Sequence, residues 1–206
     1  MSKLRILIAD DHALVRMGIS ALISAQDDMT VVGQAKNGAE SVSEALRLKP
    51  DVVLMDLVMP IKDGIVATGE IKGALPDAQI IILTSYTTTD SIAQALDNGA
   101  RGAVFKSDAN SELLTAIHTV ASGGQFVSPA IQRQIESDPP IPRLTPRQRQ
   151  AIEYITRGLT NSDIARLDGC SESAVKKLLI STFAKLGVAN RTEAVAIALR
   201  KQLVKI

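Results

Sequence analysis

Five short apolar runs, each followed by a longer stretch with helical periodicity, constrain this chain more than any other feature. The runs cover residues 4–9, 31–35, 52–56, 79–84 and 102–105; the helical patterns cover 13–25, 38–48, 65–74, 89–98 and 110–122. Strands that alternate with helices build βαβ units, and βαβ units build a parallel sheet covered on both faces. Ile80-Ile81-Ile82-Leu83 is too uniformly apolar to leave one face wet. Gly38, Gly64 and Gly99 punctuate connections, and Pro50 and Pro60 restrict the residues around the third strand. The expected fold over residues 1–125 is an α/β domain with a doubly wound, five-stranded parallel sheet.

In such a sheet the strand ends converge on one edge, where ligand sites form. Asp10-Asp11 end the first run, Asp56 ends the third and Lys106 follows the fifth. Three carboxylates and an ammonium would then share a pocket. Carboxylates in close company repel and need a counter-cation to stay ionised. Oxygen donors suit a hard ion, so Mg²⁺ is the expected cofactor.

The 206 residues leave room for a second small domain. Hydrophobic residues reach 46%, yet no apolar run approaches a membrane span, and Met1-Ser2-Lys3-Leu4-Arg5 runs straight into a strand pattern instead of a signal peptide. A cytoplasmic protein without membrane contact is expected. The single cysteine, Cys170, excludes an intrachain disulfide and a cysteine-built metal site. Charge is uneven: residues 1–125 hold 10 Lys/Arg and 15 Asp/Glu, whereas residues 143–206 hold 12 and 5. A basic domain joined to an acidic one is the electrostatic footprint of nucleic-acid binding, although a solvated basic surface would look the same.

Residues 126–142 read as a linker, because Pro139, Pro140 and Pro142 cannot continue a helix; residues 130–136 could add a short one. Residues 143–206 read as four helices. Thr145, Pro146 and Gln148 form a capping box with proline at the first helical position, and Gly158 closes that helix. A second helix starts after Thr160 or Asn161 and ends near Leu167; a third is capped by Ser171 and ends at Gly187; a fourth follows Thr192. Two helices joined by Asp168-Gly169-Cys170-Ser171 have helix-turn-helix geometry. In the third helix Val175, Leu178, Leu179, Phe183 and Leu186 mark the buried face. Ser173, Lys176, Lys177, Ile180, Ser181 and Ala184 then look outward, a small and partly basic face suited to the major groove. Lys185 and Arg191 add expected phosphate contacts.

These motifs together resemble a known family. The first half is similar to the flavodoxin-like receiver domain of bacterial response regulators, with Asp10-Asp11, the phosphoacceptor Asp56 in Met55-Asp56-Leu57-Val58-Met59-Pro60, Thr84 and Lys106 at matching places. The second half resembles the LuxR-type domain through Leu144-Thr145-Pro146-Arg147, Gly158-Leu159-Thr160-Asn161, Ile164-Ala165, Val175-Lys176 and Lys185-Leu186-Gly187-Val188 with Asn190-Arg191-Thr192. The combination points to the NarL/FixJ two-component regulators. That resemblance implies Mg²⁺ held by Asp10, Asp11, Asp56 and the Val58 carbonyl, and phosphoryl transfer to Asp56 from a histidine kinase or small acyl phosphate, assisted by Thr84 and Lys106. It also implies a homodimer on double-stranded DNA and no independent enzymatic turnover.

Taken singly, each residue has a plainer reading. Aspartates at strand ends usually cap turns, Lys106 alone would be a surface lysine, and Thr84 would cap a loop. His12 reads as a rim residue, and neither it nor His118 is assigned a role. Several positions depart from the family. Ala103 replaces an aromatic or His whose rotation reports phosphorylation, which leaves Phe105, Tyr86 and Ser85 as relay candidates. Asp168 stands where a leucine closes the second helix, Ala174 and Leu178 replace Thr and His, Gln148 replaces Glu, and Ile180 offers a thymine methyl contact but no hydrogen bond. These departures motivate a second reading, an atypical regulator that works by protein contact with weak or no specific DNA binding.

Overall fold

The computed structural model describes residues 3–85, 88–142, 144–201 and 203–204. It divides into two compact units, the first ending at Pro139 and the second beginning at Pro140. In the first, β1 (Leu4–Ala9), α1 (Ala13–Ser24), β2 (Met29–Ala35), α2 (Gly38–Leu48), β3 (Val52–Asp56), α3 (Gly64–Ala74), β4 (Gln79–Thr84), α4 (Thr89–Asp97), β5 (Gly102–Phe105) and α5 (Asn110–Ala121) alternate. β6 (Phe126–Val127) and α6 (Pro129–Ser137) complete it. The sheet is parallel with order β2-β1-β3-β4-β5-β6.

Strand side chains alternate between faces, and the two apolar cores follow that period of two. Leu7, Ala9, Val53, Met55, Ile80, Ile82 and Ala103 pack with residues of α2, α3, α4 and α6. Ile6, Ile8, Val52, Leu54, Ile81, Leu83 and Val104 pack with residues of α1 and α5. Every residue of β3 is buried, as a central strand covered twice requires.

The expected five-stranded sheet has a sixth strand, and residues 126–137, expected to open the linker, belong to the first unit. Phe126 and Val127 pair with Gly102 and Ala103, and the Ser128 amide donates to the Ala103 carbonyl at 2.9 Å. Ser128 then caps α6, whose Pro129 sits in its first turn, and Ile131 is fully buried against the core. A two-residue strand is too short to show periodicity, whereas the short helix expected over 130–136 is present as α6, one residue longer at each end.

The β3–α3 loop carries one strained residue, Ile61, at φ 69° with 84% of its surface exposed. The left-handed region costs a residue with a Cβ roughly 1–2 kcal/mol, and a β-branched side chain suffers most. Ile61 buries nothing in exchange, so Ile61→Gly is expected to stabilise the first unit by about 1 kcal/mol, after the extra entropy of glycine in the unfolded chain is deducted. That gain corresponds to a rise of roughly 2–4 °C in its thermal unfolding transition, measurable by calorimetry.

The second unit contains α7 (Pro146–Thr156), α8 (Asn161–Leu167), α9 (Glu172–Leu186) and α10 (Arg191–Arg200) around a core built from Ile152, Ile155, Ile164, Val175, Leu179 and Ala194, among others. α7 has the expected capping box, with the Gln148 amide donating to Thr145 Oγ1 and the Thr145 amide donating to Gln148 Oε1. α8 has a second one, built by Thr160 and Asp163. α9 is capped by Ser171 and ends at Gly187, which adopts φ 66°. α10 starts at Arg191, two residues earlier than expected, because Asn190 accepts the Glu193 amide as N-cap.

Candidate functional site

The carboxyl edge of the sheet gathers four of the residues singled out above. Asp56 ends β3, Thr84 ends β4, Asp10 follows β1 and Lys106 follows β5. Gly64 lets the chain return close to this edge: a Cβ there would lie 1.9 Å from the Asp56 carbonyl oxygen. The Lys106 amide donates to the Thr84 carbonyl at 2.8 Å, which fixes where the lysine side chain starts.

Lys106 Nζ lies 2.6 Å from Asp10 Oδ2 and 2.7 Å from Asp56 Oδ2. All three side chains are nearly removed from solvent, Lys106 keeping 10% exposure. Burial pushes the Asp56 carboxyl above its usual range; Lys106 pulls against this, while the Asp10 charge adds to it. Burial also works against the Lys106 ammonium, but hydrogen bonds and charge from Asp10 and Asp56 more than offset it and hold its pKa above the ordinary value. The lysine is thus a built-in counter-cation for two buried carboxylates.

The remaining oxygens are partly engaged. Asp10 Oδ1 accepts the His12 amide at 2.8 Å and Asp56 Oδ1 accepts the Val58 amide at 3.3 Å. Arg16, which sequence reasoning missed, donates to the Asp10 carbonyl at 2.8 Å from one turn into α1. Thr84 Oγ1 is buried with no hydrogen-bond partner among the described residues. An orphan hydroxyl in a polar pocket costs free energy unless an incoming group uses it. Asp10, Asp11, His12 and Asp56 each offer one donor atom, all within 4.8 Å of one another. This donor set fits a divalent cation. Val58 has an exposed side chain at the pocket rim.

Of the relay candidates, Phe105 is half-buried and its amide donates to Asp108 Oδ2 at 2.9 Å. Ser85 is exposed. Tyr86 lies outside the described residues. Ala103 is fully buried on the core face shared with α6.

In the second unit Ser173, Lys176, Lys177, Ile180, Ser181 and Ala184 all lie on the exposed face of α9. Ile180 is 58% exposed. The buried stripe differs in detail from the one expected: Thr182 joins Val175, Leu179 and Leu186, while Leu178 and Phe183 flank it half-buried. A threonine is tolerated there because its hydroxyl donates to the Leu178 carbonyl at 2.7 Å. Lys185 and Arg191 both have partners within the fold. Lys185 Nζ donates to Gln148 Oε1 at 3.1 Å, and the Arg191 guanidinium donates to the Leu159 carbonyl. Asp168 is half-buried at the C-cap of α8.

Comparison with known proteins agrees with this geometry. Residues 6–118 match the response regulator receiver domain, and residues 142–198 match the bacterial regulatory proteins of the luxR family. The chain is 32% identical to the response regulator protein VraR of Staphylococcus epidermidis over 98% of this chain and 99% of that protein. It is 34% identical to the oxygen regulatory protein NreC of Staphylococcus aureus over 98% of this chain and 100% of that one. Among solved structures, the two-component response regulator RcsB in its DNA complex is similar with a TM-score of 0.70, at 26% identity over 97% of this chain and 99% of that one. No helix among the described residues is long and apolar enough to cross a membrane. The chain is a two-component response regulator of the NarL/FixJ family, a receiver domain followed by a LuxR-type DNA-binding domain.

Proposed function

We propose that Asp56 is the phosphoacceptor of a switch that controls promoter binding by the exposed face of α9. The observation that carries this reading is the buried Asp10–Lys106–Asp56 arrangement beside the unpartnered Thr84 hydroxyl. One Asp56 oxygen attacks phosphorus in a histidine kinase's phosphohistidine or in a small acyl phosphate. The P–O bond to Asp56 forms as the P–N or P–O bond to the donor breaks, and the leaving group keeps that electron pair. Lys106 and the Thr84 hydroxyl stabilise the charge that builds on the phosphoryl oxygens, in a site preorganised to do so. Asp10, Asp11, Asp56 and the Val58 carbonyl would hold Mg²⁺, which when bound supplies further neutralisation of that charge. Asp56 is consumed and restored, so the chain turns over no external substrate and is not an enzyme in the ordinary sense. This chemistry takes place in the cytoplasm, where kinase and promoter are both accessible.

Because burial raises the Asp56 pKa, protonation competes with both cation and nucleophile. The charged form is required both to hold the cation and to attack phosphorus, so labelling by an acyl phosphate is expected to fall with decreasing pH, and to fall earlier at low Mg²⁺ than at high Mg²⁺, since the bound cation favours the carboxylate. A pH series of labelling rates at low and at high Mg²⁺ checks this; pH profiles that coincide at the two would contradict it.

Ser173, Lys176, Lys177, Ile180 and Ser181 are proposed to meet the major groove as a pair of α9 helices in a homodimer, with half-sites about one DNA turn apart. Lys185 and Arg191, which meet Gln148 and Leu159 within the fold, are proposed to contact phosphates as well. The decisive experiment incubates the full chain with a random-sequence duplex pool, with and without acyl phosphate, and sequences the retained DNA. A two-fold motif enriched after phosphorylation is expected. Retention without enrichment in either state would favour the second reading, regulation through protein contact, for which Ala103, Asp168 and Ile180 are the observations.

A further inference from the structure

His12 occupies the N-cap position of α1, yet its side chain makes no capping hydrogen bond. Its ring turns to the acidic pocket instead. Nδ1 lies 2.7 Å from Asp11 Oδ1 and 3.4 Å from Asp10 Oδ1. An octahedral ion with bonds of about 2.1 Å holds neighbouring donors about 3.0 Å apart and opposite donors about 4.2 Å apart. In the absence of an ion the shorter contact is a hydrogen bond from Nδ1 to Asp11, and the donor set, which falls within 4.8 Å, would contract slightly around an ion that replaces that proton.

We propose that His12 is a further side-chain ligand of this pocket, through Nδ1, beside the three carboxylates and the Val58 carbonyl, so that the receiver discriminates in favour of first-row transition ions over Mg²⁺. The inference rests on the reading of this pocket as a cation site and adds its selectivity. Carboxylate and water oxygens serve Mg²⁺ and Mn²⁺ alike, whereas imidazole nitrogen adds affinity only for the transition ion. Ligation requires the neutral ring to carry its proton on Nε2. The ring is 68% exposed, so water can satisfy that nitrogen, and opening the Nδ1 to Asp11 distance by a few tenths of an ångström admits the ion. His12 follows two carboxylates directly in the chain, so its backbone is already fixed by the amide it donates to Asp10 Oδ1.

The test uses the untagged full chain with Mn²⁺ and Mg²⁺, with binding followed by the electron paramagnetic resonance of free Mn²⁺ and by Mg²⁺ competition. Pulsed resonance on bound Mn²⁺ reads the nitrogen ligand. The chain holds two histidines, so His118→Gln is the control for His12→Gln. The expected result is nitrogen coupling in the wild type and in His118→Gln that disappears in His12→Gln, with Mn²⁺ affinity falling roughly tenfold and Mg²⁺ affinity staying within about twofold. Mn²⁺ that binds and is lost on Asp56→Asn, but shows no nitrogen coupling, would overturn the role of His12 and leave the cation site standing. Binding of neither ion, or binding insensitive to Asp56→Asn, would overturn both.

Discussion

Replacing Asp56 by Asn is expected to abolish phosphoryl incorporation from a small acyl phosphate while leaving the receiver folded. The amide oxygen of Asn can still accept the Val58 amide that Asp56 Oδ1 accepts at 3.3 Å, and the side chain has nearly the same shape. Its nitrogen cannot pair with Lys106, but the lysine keeps Asp10 at 2.6 Å. What is lost is the nucleophilic carboxylate, and no neighbour replaces it. Asp10 is equally buried, but its Oδ1 accepts the His12 amide at 2.8 Å, whereas Asp56 Oδ1 accepts the Val58 amide only at 3.3 Å, so Asp56 has the more weakly held oxygen. Asp11 is the more exposed acid and already meets the His12 ring. Mass spectrometry of intact protein after incubation with donor and Mg²⁺ gives the answer directly: full incorporation in Asp56→Asn would end the assignment. Because burial already disfavours the Asp56 charge, removing it should cost little stability, and a thermal midpoint close to that of the wild type is the accompanying expectation.

The positions that form this pocket are largely legible in the sequence. Asp10, Asp56, Thr84 and Lys106 each sit where an apolar run stops, and a parallel sheet converts four sequence positions into one pocket edge. Contacts made by long or short-range side chains left no comparable signal. Arg16 reaches the Asp10 carbonyl by the length of its own side chain, which no spacing rule announces. His12 looks like a rim residue until its ring is seen beside Asp11. Thr182 breaks an otherwise apolar stripe and is buried because it bonds the turn below it, a local compensation invisible to a hydrophobic pattern.

The largest structural difference has a functional consequence. Ala103 lacks the ring that family members use to report phosphorylation, and its small methyl sits on the core face that also buries Ile131 of α6. β6 and α6 are pinned to β5 at this same residue, through the Ala103 to Val127 pairing and the Ser128 amide. A bulky side chain at 103 would have to displace part of this packing, since interiors of this density do not absorb a ring without shifts. Ala103, β6 and α6 therefore belong to one packing arrangement. Phe126 and Val127 could not be read as a strand because the neighbour that orders them lies more than twenty positions away on β5.

Substituting both Lys176 and Lys177 by Ala is expected to weaken duplex binding by roughly tenfold or more and to lower the salt slope of log affinity by about two. Both lysines lie on the exposed face of α9, so their removal leaves the packing of Val175, Leu179 and Leu186 intact. Each phosphate contact releases about 0.9 counterion, which makes the slope a count of lost contacts and separates this effect from loss of folding. Lys185 provides the contrast. Its ammonium meets Gln148 of α7, so Lys185→Ala should lower stability of the second unit as well as affinity, and its slope should change by one at most. Titrations across a salt series, with circular dichroism of each variant, distinguish the two patterns. A slope unchanged in the double variant would mean that the basic face of α9 does not meet DNA, and the charge imbalance between the halves of the chain would then need a protein partner to explain it.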